Sequence, residues 1–88
     1  MIIRQVMIEN KLGLHARPAV MFVNTASSFK SSVFLEKDNQ SLNAKSIMSV
    51  LSVGISQGTK ICLIIEGEDE ELADKALVSL IKSNFGEK

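Results

Sequence analysis

The 88 residues contain one cysteine, one proline and one histidine, and neither tryptophan nor tyrosine. The lone thiol, Cys62, cannot close an internal disulfide. Paired with one histidine, it satisfies neither a zinc-ligand spacing nor a Cys–His nucleophile signature, so no metal and no cofactor is expected. Four phenylalanines are the only aromatics, which makes the expected core aliphatic. No sign of charge dominates: ten basic and ten acidic residues cancel. That balance removes the electrostatic footprint of a duplex-binding or anionic-membrane-binding domain, leaving proteins or small molecules as expected partners. Long apolar runs are missing too. The longest, Ile61 to Ile65, falls far short of the ~20 residues a membrane-spanning helix needs. The opening M-I-I-R-Q-V lacks the basic-then-apolar layout of a secretory signal, so the cytosol is the expected compartment. A glycine-rich nucleotide loop is absent as well.

With 45% hydrophobic and 23% charged residues, the chain has the composition of an ordinary globular domain. Its length suits one domain over residues 1–88 with a single small core. Ile2–Ile8 is β-rich and roughly alternating, and predicts the first strand. From Ala16 to Phe29, apolar residues at Ala16, Ala19, Val20, Val23 and Ala26 follow helical spacing. S-V-F-L-E-K, the turn pair Asp38-Asn39 and Q-S-L-N-A predict a hairpin, because Asx residues tolerate the positive φ of tight turns. A short helix opens at Ser46 and closes at Gly54. T-K-I-C-L-I-I-E predicts the fourth strand, and a last helix begins at E-D-E-E with Leu72, Ala73, Ala76, Leu77, Leu80 and Ile81 as its apolar positions. The order βαββαβα favours an α+β fold, one mainly antiparallel four-stranded sheet with three helices on one face. Expected inward residues are Val6, Ile8, Val33, Leu35, Leu42, Ile61, Leu63 and Ile65 from the strands, with Ala19, Val23, Ala26, Ala76, Leu77 and Leu80 from the helices. By alternation Cys62 and Ile64 then point to the uncovered side with Met7 and Phe34, an apolar face that would support weak self-association of a mainly monomeric protein.

The histidine and the proline stand three positions apart in N-K-L-G-L-H-A-R-P-A-V, with an arginine between them. A helix starting near Ala16 leaves the backbone amides of its first turn without intrahelical partners, directly after His15. Pro18 fits such a turn, since no donor is needed from it there, and Gly13 permits a sharp approach. A phosphate on the His15 ring would meet the helix N-terminus at Ala16, Arg17 and Pro18 together with the Arg17 guanidinium. Residue by residue, that is an anion receptor around a nucleophilic ring nitrogen. An isolated His-x-Arg is nonetheless weak, because most surface histidines are inert.

G-L-H-A-R-P-A, Gly13 to Ala19, taken together with K-S-I-M-S-V-L-S-V-G-I, Lys45 to Ile55, resembles the histidine-containing phosphocarrier proteins (HPr) of the bacterial phosphoenolpyruvate-dependent sugar phosphotransferase system. The likeness extends over essentially the whole chain. It implies an open-faced β-sandwich. It also implies that His15 accepts a phosphoryl group on Nδ1 from phospho-enzyme I and passes it to sugar-specific enzyme IIA components, with Arg17 supporting the phosphate. Such a protein is a carrier and not a stand-alone enzyme.

Ser46 reads from the residues alone as an N-cap. The resemblance adds phosphorylation of Ser46 by an ATP-dependent HPr kinase/phosphorylase, giving a form that binds a catabolite-control transcription regulator. Ile47, Met48 and Leu51 in the short helix, and Val20 in the first, fill a core in the ordinary reading. The resemblance instead assigns Met48, Leu51 and Val20, with Ile47 beside them, to apolar partner docking around the histidine. Asn24 stands where many relatives carry lysine. The rival reading is a regulatory-only HPr-like paralogue; that branch typically replaces the histidine, whereas His15 and Arg17 are present here.

Overall fold

The computed structural model describes residues 1–87. Strands β1 (Ile2–Met7), β2 (Ser32–Lys37), β3 (Gln40–Asn43) and β4 (Lys60–Glu66) form one sheet in the order β1-β4-β2-β3. Every neighbouring pair is antiparallel. Helices α1 (Ala16–Ser27), α2 (Ile47–Ser52) and α3 (Glu70–Lys82) provide the second layer. A 3₁₀ turn, Asn84–Gly86, follows α3. The expected fold class and element order are those observed, with the β2–β3 hairpin turning at Asp38, whose φ is +56°.

Alternation in β4 places Ile61, Leu63 and Ile65 in the core, where each is at most 2% exposed. Val33 and Leu35 of β2 lie opposite Ile65 and Leu63 in register and are equally buried. The helix stripes contain the expected Ala19, Val23, Ala26 and Leu77 and differ at their other positions. In α1 the buried residues are Pro18, Ala19, Phe22, Val23 and Ala26, while Ala16 and Val20 face outward. Phe22, fully buried, is the largest enclosed side chain; its i, i+3 and i+4 neighbours are Ala19, Ala26 and Pro18, all on the same stripe. In α3, Ala73, Leu77 and Ile81 are buried, Ala76 and Leu80 lie at the margin, and Leu72 is exposed. Asp74 occupies the stripe because Arg4 of β1 meets its carboxylate through two hydrogen bonds, 3.0 and 2.7 Å long. Val6 and Leu42 pack against the core from partly buried positions.

The uncovered sheet face carries Ile3, Ile64 and Phe34 as direct cross-strand neighbours. Ile3 and Phe34 are 66% and 40% exposed, and Ile64 and Cys62 are half-buried. Cys62 sits between Gln5 and Glu36, and Met7 lies opposite Lys60. The apolar part of this face is thus a short row at one end of the sheet. Among the described residues no helix is long and apolar enough to cross a membrane.

Candidate functional site

The loop that carries the histidine is built before the helix begins. Gly13 takes φ +63°, a conformation that costs glycine nothing. Its amide donates to Asn10 O at 3.0 Å, and the Leu14 amide donates to Ile55 O at 2.9 Å. Buried Leu14 and Ile55 hold the two loops together. Asn10, only 3% exposed, braces the turn from inside by donating through Nδ2 to Gly13 O at 2.7 Å. His15 is therefore delivered by a loop whose backbone is pinned on both sides.

His15 is the N-cap residue of α1, in extended conformation, and its carbonyl accepts the first helical bond from the Ala19 amide at 2.9 Å. Among the described residues the His15 side chain makes no capping hydrogen bond to the helix, and the first turn contains no acidic residue. The amides of Ala16 and Arg17 thus lack intrahelical acceptors, and Pro18 has no donor to waste. Ala16 and Arg17 are exposed. The imidazole is half-exposed. These are the positions at which an anion on the ring would find donors and the positive end of the helix.

The structure adds two residues to the site. Nε2 of His15 lies 2.8 Å from Oε2 of Glu87, and the other carboxylate oxygen of Glu87 accepts from Asn10 Nδ2 at 2.9 Å. The hydrogen bonds from Asn10 and His15, with the positive field of Arg17, hold the Glu87 carboxyl below the usual carboxylate range. An ionised carboxylate only accepts, so the contact requires the proton on Nε2. In the neutral ring Nδ1 then carries the lone pair, and among the described residues it has no hydrogen-bond partner. Neither Asn10 nor Glu87 stands out in the sequence: they lie 77 positions apart, and only the fold joins them. The one local signal is the N-F-G that follows α3, an aromatic between two turn-forming residues.

Ser46 is the N-cap of α2, half-buried, with its hydroxyl oxygen accepting from the Ser49 amide at 3.3 Å. Met48 is 75% exposed, Val20 45% and Leu51 39%. Ile47 instead leans on the core, and Val50 is the buried residue of α2. Helices α1 and α2 pack against each other, so these exposed side chains belong to neighbouring elements. Asn24 is also exposed on α1. No group of three or more His, Cys, Asp or Glu residues is placed to hold a metal ion among the described residues.

A family model described as the PTS HPr component phosphorylation site matches residues 2–83. The HPr-like protein Crh of Halalkalibacterium halodurans is 48% identical, over 93% of this chain and 98% of its own length. The phosphocarrier protein HPr of Xylella fastidiosa is 44% identical, over 99% of this chain and 98% of its own. The crystal structure of HPr-C-His from Thermoanaerobacter tengcongensis superposes with a TM-score of 0.97 at 57% identity, covering 100% of this chain and 99% of that one. An imidazole set before an uncapped helix, in a sheet-and-helix frame shared over the full length with these proteins, places the chain in the HPr family of phosphotransferase-system phosphocarriers.

Proposed function

We propose that this chain carries a phosphoryl group on Nδ1 of His15, taking it from phospho-enzyme I and passing it to enzyme IIA components of sugar uptake in the cytosol. The observation that carries this reading is the half-exposed imidazole whose Nε2 is committed to Glu87 while Nδ1 keeps its lone pair ahead of the uncapped start of α1. Nδ1 attacks phosphorus, a nitrogen–phosphorus bond forms, and the donor's bond to phosphorus breaks with its electron pair left on the donor. The second transfer reverses these roles. Phosphoryl transfer calls for in-line positioning and charge stabilisation more than for elaborate acid–base machinery, which a small domain can supply. The amides of Ala16 and Arg17 and the Arg17 guanidinium are the groups that meet the phosphate oxygens.

Partners dock on the exposed apolar side chains of Val20, Met48 and Leu51, with Ile47 supporting them from the core side. Methionine suits a surface that several proteins must share. Ser46 is the regulatory position, phosphorylated by an ATP-dependent HPr kinase/phosphorylase and then read by a catabolite-control transcription regulator. A phosphate at the N-terminus of α2 is compatible with that helix, yet its charge opposes an acidic partner arriving at His15.

The test is incubation with enzyme I and phosphoenolpyruvate, followed by intact mass. The expected result is one added phosphate, lost in acid and absent from the His15→Ala protein. A chain that takes up no acid-labile phosphate would leave the regulatory-only reading standing in its place.

A further inference from the structure

Glu87 reaches His15 through a segment made to hold it there. After α3 the backbone enters the left-handed region at two successive non-glycine residues, Asn84 and Phe85, each with φ +55°. Such conformations persist only where the surroundings enforce them. Here the Phe85 side chain is the enforcing element, 2% exposed and part of the core cluster. The turn is closed by the Gly86 amide on Ser83 O at 3.0 Å and the Glu87 amide on Asn84 O at 2.9 Å. Asn10 then fixes the carboxylate from the opposite side, with both of its donor contacts in use, one on Gly13 O and one on Glu87 Oε1. The same buried amide therefore sets the His15 loop and the group that faces the His15 ring.

We propose that Glu87 is a positioning residue for phosphoryl transfer through His15, held by Phe85 and Asn10 so that its carboxylate keeps the proton on Nε2 and offsets the positive charge that the ring acquires as Nδ1 bonds to phosphorus. The inference rests on the carrier reading above and deepens it. When Nδ1 donates its lone pair to phosphorus the Nε2–H ring becomes cationic, and the proton stays on Nε2 throughout. A carboxylate already at 2.8 Å stabilises that charge without rearrangement, and it does so more in the transition state than in the neutral ground state. The negative charge stands beside Nε2, across the ring from the transferring group, while Arg17 and the helix start serve the phosphate.

Three ¹⁵N-labelled proteins, the wild type, Glu87→Ala and Glu87→Gln, test this by long-range ¹H–¹⁵N spectra of the His15 ring and by the rate of phosphate uptake from enzyme I and phosphoenolpyruvate. The wild type is expected in the Nε2–H form. Glu87→Ala is expected to show a mixture of tautomers and uptake slower by about tenfold, the scale of one charge-assisted hydrogen bond. Glu87→Gln retains an acceptor oxygen for Nε2–H without the charge, so it keeps the wild-type tautomer and still takes up phosphate more slowly. Wild-type tautomer proportions in Glu87→Ala, or wild-type uptake rates in both variants, would overturn the proposal while leaving the carrier reading intact. A wild-type protein that accepts no phosphate removes the carrier reading itself, and this inference with it.

Discussion

At Gly13 an added β-carbon would run into the carbonyl oxygen of Ile55 and stand 2.7 Å from Ser56 Cα, in a backbone conformation that alanine adopts only with strain. Gly13→Ala is therefore expected to lower unfolding stability by about 2–4 kcal/mol, read from urea denaturation, and to slow phosphate uptake because the loop ahead of His15 must move. His15 shows how far a single residue can be understood from its neighbours in sequence. Its place before a helix is legible from Pro18, since proline is at home in a first turn and the preceding residue then meets free amides. Which ring nitrogen is free is not legible, because that depends on a carboxylate 72 positions away.

The short helix α2 is held at both ends by contacts of different origin. At its start Ser46 caps the Ser49 amide, a local device that serine followed by an apolar turn announces. At its end the Lys37 ammonium, brought over from β2, donates to Val53 O at 3.1 Å and Gly54 O at 3.4 Å, a cation at the negative end of the helix. Ser46→Ala is expected to cost about 1 kcal/mol in denaturant unfolding. Ser46→Asp is expected to fold with near-wild-type stability and to accept phosphate from enzyme I more slowly, which stopped-flow or quenched-uptake kinetics would check. In α1 the apolar spacing runs through Ala16, Ala19, Val20, Val23 and Ala26, and the buried stripe keeps Ala19, Val23 and Ala26, adds Pro18 and Phe22, and leaves Ala16 and Val20 outside. The bulk of Phe22 favours that stripe, since turning it to solvent would forfeit the larger burial.

Across the whole molecule, two features join elements distant in sequence. Asp69 is the N-cap of α3 by position, yet its side chain caps nothing in that helix. It accepts instead from the Lys30 and Ser31 amides, each at 2.9 Å, and from the Ser31 hydroxyl, tying the start of β2 to the β4–α3 connection. The Ser31 hydroxyl and the Lys30 amide lower its pKa from 3.8 to about 2. A folded-state pKa below the unfolded value means that the folded chain holds the ionised form more tightly. The resulting stability is complete above about 3.8 and is lost as pH falls through that value toward about 2. Urea midpoints measured down this range are expected to drop, and to drop less steeply in Asp69→Asn. The second feature is the outer row Ile3–Ile64–Phe34, a row of cross-strand neighbours where a stable interface uses about 20–30 residues a side. Sedimentation is expected to show a monomer at micromolar concentration with weak association at higher concentration, abolished by Phe34→Glu.

The amino-acid sequence by itself determined the strands and helices, their order, the serine cap and the histidine before an open helix start, because periodicity, capping and turn chemistry act over a few residues. Tertiary structure alone decided that Phe22 and Pro18 join the buried stripe of α1, that Asp74 of α3 pairs with Arg4 of β1, that Asp69 serves β2 instead of α3, and that Asn10 and Glu87 meet at the His15 ring. Each of these contacts joins groups far apart along the chain, and their partners are chosen only when the sheet and its helices have closed on one core.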